Sequence, residues 1–204
     1  MKTPFSFLLI ACLAAGLPAA AADFADPTWP CIQRKVENLS PGLMWALPPD
    51  AAQDAPDAKT QQDIQALADA LSLRRIAIEE IQPEIDAFAA RHDGNAALLG
   101  QVFTAVFDPL NKRRNQIIKG IADFSLSQIA LAENIETLRA TMATEISKTE
   151  PDYDKIDAVE EQLDWDQVIY TDRQQSIQYL CETPVLIERR LFDIARRLQE
   201  AAAS

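Results

Sequence analysis

The chain has few of the residues from which catalytic and metal sites are built. It contains one histidine, His92, and three cysteines among 204 residues. A Ser-His-Asp or Cys-His arrangement would have to use His92, and one histidine cannot build an ordinary zinc site. His92 stands beside Asp93 at the expected end of a helix, where an imidazole usually contacts the last carbonyl groups. The motifs HExxH, CxxC, GxSxG and the P-loop are missing. We therefore expect no enzyme, no cofactor and no bound metal.

Glycine is equally scarce, with five residues in the whole chain. Alternating β-branched residues and closely spaced turn clusters, which a β-sandwich requires, are absent as well. Ala, Leu, Gln and Glu are common, and these residues favour helices. The composition predicts an all-α protein.

An apolar leader begins the sequence. Lys2 is followed by an apolar run over 5–17 and a small-residue stretch over 19–22, which is the layout of a secretory signal cleaved after Ala21 or Ala22. Residues 9–12 also have the outline of a lipoprotein cleavage site, but the apolar run continues past Cys12. We predict a signal peptide over 1–22 and a periplasmic location, with no transmembrane segment after cleavage.

Beyond the leader the chain has two cysteines, Cys31 and Cys181. An oxidising compartment favours their pairing, so we predict a disulfide between them. The same part of the chain has 18 basic and 31 acidic side chains, because Lys2 is the only charged residue of the leader. The resulting net charge of −13 disfavours nucleic acid and anionic membrane surfaces as partners.

A Pro- and Trp-rich segment over 23–57 precedes the regular part of the chain. Its prolines prevent long helices, yet it carries large apolar side chains, namely Trp29, Ile32, Val36, Leu39, Leu43, Met44, Trp45 and Leu47. We expect an arm that lies on the helices, with Trp29 and Trp45 packed and Cys31 bonded. The stretches over 29–36 and 39–45 resemble the start of small secreted bacterial proteins that share a Trp-Pro-Cys segment. This resemblance implies no particular activity.

Apolar residues recur at helical spacing from Lys59 onwards and predict three long antiparallel helices over about 58–92, 95–148 and 152–202. Asp93-Gly94-Asn95 and Thr149-Glu150-Pro151-Asp152 mark the two turns. Pro83, Pro109 and Pro184 fall inside the helices and predict kinks. The alternative at Thr183-Pro184 is a break with a new helix starting at the proline.

Unequal helix lengths then predict the shape. The first helix covers only the near half of the second, so residues 131–147 would pair with 153–170 alone. The expected fold is a three-helix body with a two-helix coiled-coil projection about 25–30 Å long. The domains are a signal peptide over 1–22, an arm over 23–57 and a helical bundle over 58–204.

An acidic run at the start of the last helix is the best-populated cluster of polar residues. Asp157, Glu160, Glu161 and Asp164 are spaced so that they share one helix face. Acidic residues favour a helix N-terminus, which explains part of the run. A solvated helix face is the structural explanation for the rest. The functional interpretation is a dock for a basic partner or a cation face, although no Asp-x-Asp-x-Asp-Gly calcium loop is present.

These features favour a non-enzymatic periplasmic interaction protein, an adaptor or chaperone-like binder whose unidentified protein partner could be basic. The alternative is a periplasmic protein that binds a small ligand or divalent cation between arm and bundle, with Trp29 and Trp45 lining the pocket. An enzyme that uses carboxylates alone is the third possibility. A basic stripe on the last helix, of Arg189, Arg190, Arg196 and Arg197, is expected to be an exposed face.

Overall fold

The structure, a computed structural model, describes residues 26–45 and 56–203. Within these ranges it contains a short 3-10 helix, Pro41–Leu43, and four α-helices: α1 Ala58–Ser72, α2 Ile78–Arg91, α3 Ala96–Ile146 and α4 Tyr153–Ala202. No strand occurs among the described residues, so the all-α expectation is confirmed. The expectations for the signal peptide, for Cys12 and for Leu47 lie outside the described residues.

The expectation of one continuous helix over 58–92 is wrong, because the chain leaves the helix between Ser72 and Ile78. Arg190 of α4 stabilises this break. Its Nε donates to the carbonyl of Leu71 and its Nη1 to the carbonyl of Ile76, both at 2.9 Å. The helical spacing of apolar residues continues across the break because both helices face the same core. This spacing alone therefore could not reveal the break.

The three internal prolines lie inside helices, as the sequence predicted. Helix α2 runs through Pro83, α3 through Pro109 and α4 through Pro184, so the alternative break at Thr183 does not occur. The turn before α3 has positive φ angles at Asp93 (50°) and Gly94 (62°). A Cβ on Gly94 would lie 3.5 Å from the carbonyl oxygen of Ala201. That distance is ordinary van der Waals contact, so glycine suits this turn for its φ angle.

The body is a core of short helices packed on one end of a long hairpin. Helix α1 packs mainly on α3, and α2 mainly on α4, while α3 and α4 pair with each other. The side chains at the centre of this core are fully buried, and each contributes about 1.5–3 kcal/mol; they include Leu71, Ile85, Phe88, Leu99, Val106, Ile187, Leu191, Ile194 and Leu198.

The arm packs on this body less completely than the sequence suggested. Trp45 is 4% exposed and stacks on Phe103, with ring centroids 5.8 Å apart, so its expected burial is confirmed. Trp29 is half-buried beside the cysteines. Ile32 and Leu43 are 80% and 83% exposed, and the expectation that they cover the helices is wrong. An irregular segment has no regular backbone repeat, so its apolar side chains cannot all face the core.

The predicted disulfide is present. Cys31 and Cys181 are bonded, with their Cα atoms 5.6 Å apart and 150 positions between them in sequence. Both cysteines pack on Ile121 in a small apolar cluster. Closing so long a loop is worth roughly 4–5 kcal/mol in the chain-entropy model. The bond therefore fastens the arm to the middle of the hairpin.

Arg114 supplies a second attachment that sequence reasoning missed. Its side chain lies on α3 and is 1% exposed. Its Nε donates to the carboxylate of Glu188 at 2.6 Å, and its Nη atoms donate to the arm carbonyls of Val36 and Glu37. The guanidinium thus joins three parts of the chain. A neighbouring bond runs from the Ser125 hydroxyl to the carbonyl of Pro27 at 2.7 Å.

We predict that Arg114→Met destabilises the protein, because it leaves Glu188 and two arm carbonyls without their donor. The expected loss in the free energy of unfolding is about 2–4 kcal/mol, measured by urea denaturation of the oxidised chain. The matched control is Arg113→Met, since Arg113 is exposed and should cost less than about 0.5 kcal/mol. Equal stability of the two variants would contradict the assignment.

Candidate functional site

The outer part of the α3–α4 hairpin stands off the body. The two buried apolar clusters reach no further than Ile121 on α3 and Ile177 on α4. Beyond Ser125, the last α3 residue bonded to the arm, α3 and α4 pair with each other. We call residues 126–176 the projection; its α3 half is about 30 Å long at 1.5 Å per residue. It confirms the expected two-helix projection and begins a few residues earlier than 131.

The seam of the projection mixes apolar and polar side chains. Leu163 and Ile135 are buried, whereas Leu138, Met142 and Val159 are only half-buried. Between them, the amide of Asn134 donates to Asp166 at 2.7 Å, and Gln128 donates to the carbonyl of Tyr170 at 2.7 Å. Asp166 is 6% exposed and also accepts from Gln162. Asp166 belongs to the acidic run by sequence, but it lies inside the hairpin and not on its surface.

The tip of the projection is held by Glu145, near the end of α3. Its side chain is 5% exposed and accepts from Lys148 at 2.8 Å and from Lys155 of α4 at 2.9 Å. Hydrogen bonds from Lys148 and then from Lys155 lower the pKa of the Glu145 carboxyl to about 2. The bond to Glu145 also raises the pKa of Lys155. The isolated Lys155 within the acidic run was the one sequence signal for this contact.

The acidic face is exposed as the sequence predicted. Asp157, Glu160, Glu161 and Asp164 all point to solvent, and none makes a side-chain hydrogen bond or ion pair with another described residue. Trp165 stands beside them and is 64% exposed. Among the described residues no three His, Cys, Asp or Glu side chains are placed to hold a metal ion. The face therefore presents an electrostatic surface and not a chelating cage.

The described cavity behind Trp29 is small. Trp29 lines a cavity of about 40 Å³ together with Gln33, Arg114, Cys181 and Glu188, whereas Trp45 lies in the core against Phe103. Small-molecule sites are typically about 300–1,000 Å³, so this cavity holds a few water molecules at most. Trp29 and Trp45 pack in separate apolar clusters, which disfavours the expected pocket lined by both.

His92 and the basic stripe have structural surroundings. His92 ends α2, with its Nε2 3.3 Å from Asp63 and its ring packed on Phe88. Arg190 and Arg197 are half-buried and bond to the break and to α2, so the expectation of a wholly exposed stripe is wrong for these two. Arg189 and Arg196 are exposed, as expected.

Comparisons of this chain with protein-family models, with curated proteins and with solved structures found no match. None of the described helices combines the length and the apolarity needed to cross a bilayer.

We predict that the Glu145 carboxyl titrates near pH 2, below its ordinary value of 4.5. Because the folded state favours the ionised carboxylate, its contacts with the lysines stabilise the tip above about pH 4.5. This stabilisation is lost as the carboxyl is protonated and the pH falls towards 2. NMR titration of the carboxyl carbon measures the midpoint. Replacing both Lys148 and Lys155 by Met should move the midpoint back towards 4.5. A wild-type midpoint that already lies there would refute the contact.

We predict that the projection opens before the body does, because its helices have one helical neighbour each. Leu163→Ala should lower the free energy of opening the projection by roughly 2 kcal/mol. Amide exchange over 131–147 and 153–170 should then become faster, on the order of 30-fold. Exchange at Leu99 and Leu191 in the body should not change. The control is Leu126→Ala, an exposed leucine of the same projection. Hydrogen exchange with mass spectrometry checks this, and an equal acceleration in the body would contradict it.

Proposed function

We propose that this protein is a non-enzymatic interaction protein of the periplasm, an adaptor or chaperone-like binder, and that its projection presents the binding surface. The observation that carries the proposal is the acidic face, whose four carboxylates lie unneutralised beside the exposed Trp165. The projection itself is held off the body by the lengths of its two helices.

The chemistry of this surface favours a basic protein partner. A cluster of like charges raises the rate of encounter with an oppositely charged partner, and it disfavours acidic ones. An exposed tryptophan then supplies the apolar anchor that dominates many interfaces. The acidic balance of the chain argues against nucleic acid as the partner.

Two observations support the compartment. The Cys31–Cys181 disulfide would persist in an oxidising compartment and is rare in the cytosol. The secretory layout of residues 1–22 agrees with that location. Small-ligand or divalent-cation binding remains the alternative function, and neither the small cavity behind Trp29 nor the exposed carboxylates give it specific support.

The proposal predicts that neutralising the acidic face weakens partner binding. The variant carries Asp157→Asn, Glu160→Gln, Glu161→Gln and Asp164→Asn. The control removes four other exposed carboxylates, through Glu84→Gln, Asp108→Asn, Asp123→Asn and Glu133→Gln. Both variants therefore change the net charge equally.

The measurement is a pull-down from periplasmic extract with the oxidised chain. We expect a stoichiometric partner that wild type and control retain, that the variant loses, and whose binding weakens as salt screens exposed charges within about 8–10 Å. Equal retention by variant and control would contradict the role of the face. Absence of any stoichiometric partner would contradict the proposed function.

A further inference from the structure

Helix α4 carries exposed apolar side chains on the side that faces away from the rest of the protein. Trp165, Val168, Tyr179 and Leu186 are 64%, 56%, 74% and 49% exposed. Because successive residues of a helix are turned by about 100°, these four fall within a sector of about 60°. We call this set the α4 stripe.

Buried side chains of the outer half of the same helix lie on the opposite side. Leu163 and Cys181 are both 8% exposed, and the helical period places them about 140–160° from the four stripe residues. Between 163 and 181 the stripe is therefore not the edge of the core. It extends over 165–186, which corresponds to about 32 Å of helix.

The spacing of the stripe matches the period of a coiled-coil partner. Tyr179 follows Trp165 by two heptads, and Leu186 follows Tyr179 by one. Asp172 occupies the heptad position between Trp165 and Tyr179 and is exposed. The stripe thus offers apolar contacts at its two ends and a carboxylate near its middle.

Acidic side chains lie beside the two ends of the stripe, three of them just before Trp165. Asp157, Glu161, Asp164 and Glu182 lie in or next to the same sector and are exposed. None of them makes a side-chain ion pair with another described residue. Arg189 lies about 60° outside the sector. Arg190 falls inside it but is half-buried and bonded to the carbonyls of Leu71 and Ile76, so the exposed charge of the stripe is negative and lies between 157 and 182.

We propose that the α4 stripe docks a basic amphipathic α-helix of a partner protein. The apolar side chains of that helix recur every seven residues against Trp165, Tyr179 and Leu186, and a Lys or Arg faces Asp172. Lys and Arg on its flanks meet the acids beside the stripe. This proposal rests on the proposed function and names the chemistry of its partner.

Charge decides between this occupant and the others. A second copy of the chain would place acids against acids, since the net charge is −12 over the whole sequence. An anionic lipid surface would be repelled for the same reason. A basic helix is the occupant that gains from both features of the stripe, its apolar side chains and its carboxylates.

The test uses two synthetic helical peptides of about four heptads each, labelled with fluorescein. Both have Leu at heptad positions a and d; one has Lys at positions e and g, and the other has Glu there. Binding to the oxidised full chain is measured by fluorescence anisotropy at low salt. We expect the Lys peptide to bind and the Glu peptide not to bind.

The variants Trp165→Ala and Tyr179→Ala should each weaken binding of the Lys peptide by about tenfold or more. The matched control is Phe192→Ala, because Phe192 is 52% exposed on the same helix but lies outside the stripe. The control should bind like wild type. These side chains are exposed, so circular dichroism should show that all three variants keep the fold.

Three results would overturn the proposal: no binding of the Lys peptide, equal binding of the two peptides, or equal binding by the Trp165→Ala variant and the Phe192→Ala control. If sedimentation shows that the wild-type chain is a dimer and that Trp165→Ala dissociates it, the occupant of the stripe is a second copy and not a basic helix.

If periplasmic extract yields a stoichiometric partner that the stripe variants retain, the stripe assignment fails while the proposed function stands. If extract yields no partner, the proposed function fails whatever the peptides do.

Discussion

The length of the α3–α4 hairpin is the constraint on which the rest of the structure depends. Helices α3 and α4 have 51 and 50 residues, whereas α1 and α2 have 15 and 14. Two short helices cover only one end of so long a pair, and the apolar clusters accordingly stop near Ile121 and Ile177. The remainder of the hairpin is held by the buried Ile135 and Leu163 together with polar contacts, such as Asn134 to Asp166 and Lys155 to Glu145.

The arm takes the place of a third helix at the middle of the hairpin. Met44 and Trp45 anchor the end of its described part in the core, whereas Ile32 and Leu43 face solvent. The disulfide to Cys181 and the bonds from Arg114 to the arm carbonyls fix the stretch around Cys31 and Val36. A buried guanidinium is costly unless its donors are satisfied, and here the arm backbone and Glu188 satisfy them.

Periodicity and composition predicted the parts of the fold that depend on local pattern. The long helices α3 and α4, the turn at Asp93-Gly94 and the pairing of Cys31 with Cys181 follow from the sequence. The break after Ser72 did not, because its apolar residues keep phase across it. Arg113 and Arg114 are equivalent in sequence, and only tertiary packing decides which one is buried. Glu145 and Asp166 were missed for the same reason, whereas the exposed acidic face required only helical spacing.

The proposed function depends on one surface, the outward side of α4. Hydroxyl-radical footprinting tests this most directly, because exposed aromatic side chains react readily and lose reactivity when a partner covers them. With the partner from periplasmic extract bound, we expect Trp165 and Tyr179 to be protected, while Phe192, which is also exposed on the same helix, keeps its reactivity. Protection of Phe192 with unchanged reactivity at Trp165 and Tyr179 would contradict the account.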